Sequence, residues 1–494
     1  MTAMLIPFLF ESCKDTWDDH YLKEDANISE TLLDNLKEES DLSIFIDLLK
    51  ETGYDTILLH PQAYTVFAPV NDAFSGFSQD TLDNPVILKV LIGNHICRFS
   101  YSTTDASANL RLKMLNGKYE EFFKAGSSLK FGESDLIDEN FLSKNGILHK
   151  INRVVSVKQN IWDYMEKSER FPLMMNYLKS FDIQVFDEFN SVPIGRNTLG
   201  QTIYDSVFVG SSTYFNKVGN LNAEEEQYTF LGLPDETYNR VFDVFKDYYA
   251  FPFPDTIIDN VNRTVFNNLV FPVVSKNDIT GSYLTNTSGE QLIIDKTMIS
   301  EDIRLSNGYM FIMDDLGFDP NVMIYKPVRY EVEDPTRRSQ AHATQIAIKK
   351  IYDPSASGNF VNEIFLDRVH NANQTNNWVE VKFANVLSQK YEIFVKFAPT
   401  SATLPTKLWF RLEYSNFDET ASSTIVDISP IIISNMENNR IKIGDNYDFP
   451  VYVNNLPNNP FKVTFRIYIE ITDAELVLYG RKFGVDYIEL VPVQ

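Results

Sequence analysis

The sequence predicts a multidomain α+β chain that ends in an all-β domain, and three observations carry that expectation. At 494 residues the chain exceeds what one ordinary core organises, so three domains are expected. A β-branched and aromatic strand that runs into a proline and an acidic helix cap occurs at 64–74 and, in degenerate form, at 227–238. From Lys326 onward helical spacing disappears, and short alternating strands separated by Asn, Pro, Gly and Ser clusters take over. With 37 Phe and 25 Tyr the composition favours β structure, while a net charge of −24 repels phosphate backbones and excludes a nucleic-acid partner.

Residues 4–10 are apolar but too short to cross a bilayer, which takes about 20 residues, and they have the length of a signal-peptide core. Residues 1–12 are therefore taken as a signal-peptide remnant. The segment LFESCKDTWDDHY resembles the lipobox of bacterial lipoproteins, with Glu11 standing where a small residue is usual. Lys14, Asp15, Asp18 and Asp19 resemble the acidic export signal of Bacteroidota surface lipoproteins. This resemblance implies lipidation of Cys13, an acidic tether over 13–40, and a place on the extracellular face of the outer membrane with membrane contact through the lipid anchor alone. The bland alternative is an ordinary start followed by a disordered acidic arm. The other cysteine, Cys97, sits in the apolar stretch VLIGNHICRF and reads as a buried free thiol.

The first domain is placed at 41–158. Asp41 is a natural N-cap, with Ile44, Phe45, Leu48 and Leu49 at helical spacing and Gly53 as a stop. In YTVFAPVNDAF a strand reaches Pro69, and Asn71-Asp72 can cap a following helix. Asn145-Gly146 makes a tight turn before the alternating strand ILHKINRVVSV. These pieces, in this order, resemble a fasciclin (FAS1) domain, a β-wedge with helices. Thr65, Phe67, Pro69, Asn71, Asp72 and Phe74 match its first motif, His95 its central histidine, and Asn145, Gly146 and His149 its second motif. Asn94 stands where adhesive members of the family often carry a tyrosine. His95 and His149 read as hydrogen-bonded structural histidines.

The second domain is placed at 159–325. It opens on a helix pair broken at Pro172, and QYTFLGLPDETY and NGYMFIMDDL echo the two motifs, so it resembles a diverged FAS1 domain with insertions. The third, at 326–494, is expected to be a β-sandwich or jelly roll. In WVEVKF, Val379, Val381 and Phe383 share one face, which leaves Trp378 with Glu380 and Lys382 on the other. Trp409 in KLWFRLEY, Phe394 in KYEIFVKF and Tyr468 between Arg466 and Glu470 likewise fall in polar registers. Such rings suit a sugar ligand, cover by a neighbouring domain or a partner protein, or simple core packing.

The usual enzyme signatures are absent, with no HExxH, GxSxG, GxxxxGK or GxGxxG, so no catalytic residue, metal or cofactor is expected. GDNYD, at 444–448, misses the spacing of an EF-hand calcium loop. Acidic residues are plentiful, and a glycosidase pair assembled in space is a third, weaker option; the runs at 15–19 and 222–227 are expected to be solvated faces. The resemblance implies a non-enzymatic surface lipoprotein that captures glycan or peptide nutrients beside a SusC/SusD-like TonB-dependent transporter complex and other surface lipoproteins. The alternative it implies is an adhesin or matrix-binding protein.

Overall fold

The structure, a computed structural model, describes residues 30–341, 346–354, 360–366, 377–456 and 458–494; Cys13 and the stretch read as a signal remnant lie outside them. The chain divides into two compact units. The first runs to Asp163 and takes in Asn222–Glu226 and Leu305–Asn307; the second holds the rest, including the strands that follow Lys326.

In the first unit, strands β1 (Tyr64–Pro69), β2 (Ile96–Arg98), β3 (Leu110–Lys113), β4 (Tyr119–Ala125), β5 (Ser128–Phe131), β6 (Ser134–Ser143) and β7 (Gly146–Ile151) form one sheet in the order β2-β1-β7-β6-β5-β4-β3. β1 and β7 run parallel and are buried on both faces, β7 in spite of the alternation in its sequence, since His149 and Lys150 are buried with their partners. The ordered domain begins earlier than 41. Helix Leu32–Glu38 lies in the stretch read as tether, closed by a capping box between Thr31 and Asp34, and it buries Leu32 and Leu36 completely. Two expected caps also differ. Asp41 is paired with Lys150 at 3.1 Å instead of capping, and Asn71 Oδ1 accepts the Ile44 N–H at 3.0 Å, so Asn71 caps the earlier helix Ser43–Thr52 from across the fold.

The second unit begins at Tyr164, within helix Ile161–Lys167, and continues into helix Pro172–Lys179, which has Pro at its first turn. A two-stranded ribbon of β8 (Asp182–Arg196) and β9 (Thr202–Ser212) follows. After β10 (Tyr228–Gly232), helices Asp235–Phe245 and Pro254–Phe266 lead to β11 (Val270–Pro272), the small hairpin β12 (Tyr283–Thr285) and β13 (Gln291–Ile293), then β14 (Ile299–Leu305) and β15 (Gly308–Met313). The order β11-β10-β15-β14 repeats β2-β1-β7-β6, again with an antiparallel and then a parallel pairing.

The repetition reaches atomic detail. Tyr64 is opposite Gly146 and Tyr228 is opposite Gly308. Gly146 (φ 151°) and Gly308 (φ 137°) are approached so closely by the Tyr64 and Tyr228 carbonyls that a Cβ on either would collide with backbone. The preceding asparagines play equivalent parts. Asn145 accepts from Leu32 N–H (2.8 Å) and donates to the Leu58 carbonyl (2.7 Å); Asn307 accepts from Ile161 N–H (2.9 Å) and donates to the Ala223 carbonyl (3.1 Å).

The remaining strands build a sandwich. They are β16 (Val328–Glu331), β17 (Arg338–Gln340), β18 (Ile346–Tyr352), β19 (Phe360–Leu366), β20 (Asn377–Phe383), β21 (Lys390–Ala398), β22 (Thr406–Ser415), β23 (Ser423–Ile433), β24 (Arg440–Lys442), β25 (Tyr447–Asp448), β26 (Val463–Ile469) and β27 (Phe483–Pro492). One sheet runs β18-β19-β27-β21-β24, with β16 on β27 and β25 on β21; the other runs β17-β20-β26-β22-β23. Val379, Val381 and Phe383 meet Ile393, Val395 and Phe397 from the facing sheet in one core, which also takes in Phe251 from between helices Asp235–Phe245 and Pro254–Phe266. The inward registers are those the alternation predicts.

Replacing Gly146 or Gly308 by alanine should therefore cost about 3 kcal/mol or more, since the new methyl group has no space and the backbone is at positive φ. Thermal unfolding monitored by hydrogen exchange should show Gly146→Ala loosening β1 and β7, and Gly308→Ala loosening β10 and β15. Wild-type protection in both variants would contradict the shared frame.

Candidate functional site

On the outer face of the five-stranded sheet, Trp378 lies directly opposite Tyr468, and Tyr468 directly opposite Trp409. Cross-strand partners share a face, with Cβ atoms about 4.5–5.5 Å apart, so the three rings form one continuous row over β20, β26 and β22. Both tryptophans are half-buried; Tyr468, between them, is 8% exposed, and burial pushes its phenol upward. The Arg466 guanidinium lies 4.3 Å from the Trp378 ring centre and the Lys407 ammonium 4.9 Å from that of Trp409, each attracted by the negative face of an indole.

Beside the aromatic row runs a polar one, two residues along every strand. Its members are Ser339, Glu380, Arg466, Arg411 and Asp427, in successive pairing across five strands. Arg466 binds Glu380 at 2.9 Å, and Arg411 grips Asp427 through two bonds of 2.6 and 3.1 Å that hold the Asp427 carboxyl below its usual range. The platform thus pairs apolar ring surface with a fixed series of donors and acceptors.

Phe394 does not join it. β21 belongs to the other sheet, and there the Arg440 guanidinium covers the ring at 3.5 Å, itself held by Glu489 at 2.7 Å. Alternation along one strand identifies the outward face, but only strand order decides which outward residues become neighbours. The charge ladder was open to the same limited inference: Glu380, Arg411 and Arg466 alternate with core residues, yet their partners come from other strands.

Two further features stand apart from the platform. The acidic run at 222–227 is solvated only in part: Glu225 and Glu226 are exposed, but Glu224 is withdrawn from water and pairs with Lys118, its carbonyl accepting from Arg111, and Glu225 pairs with Lys113 at 2.7 Å. The β8–β9 ribbon exposes large apolar side chains, with Phe189 at 95% and Leu199 at 82% exposure.

The motif residues of the first wedge serve structure. The Thr65 hydroxyl donates to the Phe99 carbonyl and accepts from Tyr101 N–H, both at 2.8 Å. Phe67 stacks on Phe131 with centroids 3.8 Å apart and on His149 at 5.2 Å. Pro69 ends β1, and Asn71, Asp72 and Phe74 form the short 3₁₀ turn after it. His95 Nδ1 meets the Leu91 carbonyl at 2.9 Å, while Nε2 accepts from Val155 N–H at 3.0 Å; these partners assign a neutral ring with its proton on Nδ1. His149 has the opposite arrangement, Nδ1 accepting from Asn140 N–H and Nε2 meeting the Tyr101 carbonyl. Cys97 is buried and free, and burial pushes its thiol up to about 12, which makes it inert.

Residues 40–157 match the fasciclin domain family, and a fasciclin domain is therefore present in the first unit. Over 134 residues the chain is 27% identical to transforming growth factor-beta-induced protein ig-h3 of Sus scrofa, covering 26% of this chain and 20% of that protein. Over 142 residues it is 24% identical to human periostin, covering 28% and 17% respectively. The matched stretch is thus a fifth or less of the length of these relatives. A FAS1 domain pair from the insect cell adhesion molecule Fasciclin I covers 58% of this chain at 13% identity, with 99% of that chain covered and a TM-score of 0.25. A CBM22-2 xylan-binding domain from Paenibacillus barcinonensis covers 34% at 9% identity, with 99% of that chain covered and a TM-score of 0.23. At these TM-scores neither superposition bears on function.

The two buried histidines set a pH dependence. Burial lowers both to about 4, against 6.5 for a free imidazole. Between these limits the unfolded chain binds protons that the folded wedge refuses, so their contribution is intact above about pH 6.5 and declines toward pH 4, by on the order of 3 kcal/mol for each ring. An NMR titration should find both ring C–H signals unshifted down to about pH 5. A midpoint near 6.5 for either would contradict the buried neutral assignment.

Proposed function

We propose that this chain is a non-enzymatic cell-surface binding protein that holds a glycan on the outer face of its C-terminal sandwich. The observation that carries this reading is the Trp378–Tyr468–Trp409 row with the charged ladder beside it. Sugar rings pack their C–H faces on aromatic rings while their hydroxyls bond to neighbouring carboxylate, guanidinium and hydroxyl groups, and the platform offers both kinds of surface side by side.

The rest of the chain is read as the support for that platform. The repeated frame at Gly146 and Gly308 favours a second, diverged fasciclin domain before the sandwich. Cys13 and its acidic flank favour a lipid anchor on the outer membrane of a Bacteroidota-type cell. In that setting the protein serves a SusC/SusD-like uptake complex as an accessory that gathers glycan or peptide before import. The apolar β8–β9 ribbon supplies a surface suited to contact with such an assembly.

The fasciclin domain favours a second reading, adhesion to a matrix or a neighbouring cell. The position beside the central histidine does not serve it here, since Asn94 is fully buried, donates to Glu120 and accepts from Asn116 at 2.9 Å. An adhesive surface would have to lie elsewhere on the wedge.

Electrophoresis of the full chain in native gels that contain polysaccharide separates these readings. Trp378→Ala and Trp409→Ala should each weaken retardation about tenfold, and Phe394→Ala should leave it unchanged. Absence of retardation across a broad glycan panel would remove the glycan reading. Binding to immobilised matrix proteins that survives Trp378→Ala would favour adhesion.

A further inference from the structure

A second site lies where the last strand changes partners. β27 pairs with β19 over its first residues, Phe483 to Val485, and with β16 from Tyr487 onward; Asp486 falls at the changeover, beside an irregularity in the pairing with β21. Its backbone carbonyl accepts from Val332 N–H at 3.0 Å. Val332 points into the core, so Glu331 and Glu333, on either side of it, turn outward toward Asp486. Carboxylate oxygens of Glu331, Glu333 and Asp486 all lie within 4.8 Å of one another.

Three carboxylates this close repel unless protons or a cation intervene. The surroundings compensate them only in part. Asp486 is 3% exposed, and its carboxylate accepts no hydrogen bond from any described residue. Glu333 Oε2 and both oxygens of the fully buried Glu363 are also without a hydrogen-bond partner among the described residues. The nearby cations bond to other groups, Lys396 to Asp353 at 3.0 Å, Arg329 to Glu489 at 3.1 Å and Arg338 to Gln340 at 2.8 Å, and act on the cluster only through space.

We propose that Glu331, Glu333 and Asp486 hold one calcium ion. All the donors are hard carboxylate oxygens, with no imidazole or thiolate to favour zinc. Oxygens on opposite sides of a calcium ion with bonds of about 2.3–2.6 Å stand up to about 5 Å apart, the spread of this group. Carboxylates that bind through one or both oxygens supply much of the ion's coordination, and the exposed side of Glu331 admits water for the remainder. The ion joins the first strand of the sandwich to its last, at the point where neither sheet partner spans the changeover. The segments meet only in the fold, which is why the spacing of acidic residues along the chain gives no metal motif.

Full-length protein stripped with EDTA and titrated calorimetrically with CaCl2 should bind one ion per chain, with a Kd of about 1 mM or tighter, and its unfolding midpoint should rise as the site fills. Glu331→Gln should keep the fold and weaken binding about tenfold through the lost charge. The double variant Glu333→Gln/Asp486→Asn should show no calcium-dependent midpoint shift, and without metal it should be at least as stable as the stripped wild type because the repulsion is gone. No binding by the wild type, unchanged binding by Glu331→Gln, a wild-type calcium shift in the double variant, or an equal response to MgCl2 would each overturn the assignment.

Discussion

The wedge depends on a place where two parallel strands begin too close together for any side chain but a hydrogen. The Tyr64 carbonyl occupies the space where a Cβ of residue 146 would be, and the asparagine before that glycine binds the start of one helix and the end of another segment at once. Strand pairing, helix placement and turn geometry are thus fixed by two adjacent residues. Tyr228, Asn307 and Gly308 make the same arrangement in a later stretch of the chain whose surrounding sequence differs. Backbone crowding tolerates no substitution, whereas apolar contacts around it can be exchanged one for another of similar volume.

The sandwich rests on a different constraint, the two-residue period of its strands. Once Val379, Val381 and Phe383 are committed to the core, Trp378 and Glu380 have to face outward, and pairing with β26 then brings Trp378 to Tyr468 and Glu380 to Arg466. The aromatic row and the charged ladder are consequences of one register. A slip by a single residue would bury the charges and dismantle both rows.

What could be read from the sequence follows from the range of each interaction. Local signals survived: the strand into Pro69, the Asn145-Gly146 turn, the helix pair broken at Pro172 and the inward faces of the sandwich strands all stand as expected. Where a partner comes from far along the chain, the sequence was silent or misleading. Asn71 caps a helix that precedes it by almost thirty residues rather than one that follows, Thr31 starts a docked helix in what read as tether, and Glu224 finds Lys118 instead of water. The candidate site divides in the same manner. The outward face of each aromatic was legible, but Phe394 belongs to the opposite sheet and only strand order reveals it.

The direction of the aromatic row has a mechanical consequence. It crosses three adjacent strands and is therefore only about 10 Å long, running perpendicular to them. A polymer laid along it would engage through a couple of its units, and each platform alone would let go readily. Retention would then come from number: many copies on one surface would grip the same strand at separate points, so that avidity holds a polymer while each contact stays weak enough to pass it onward.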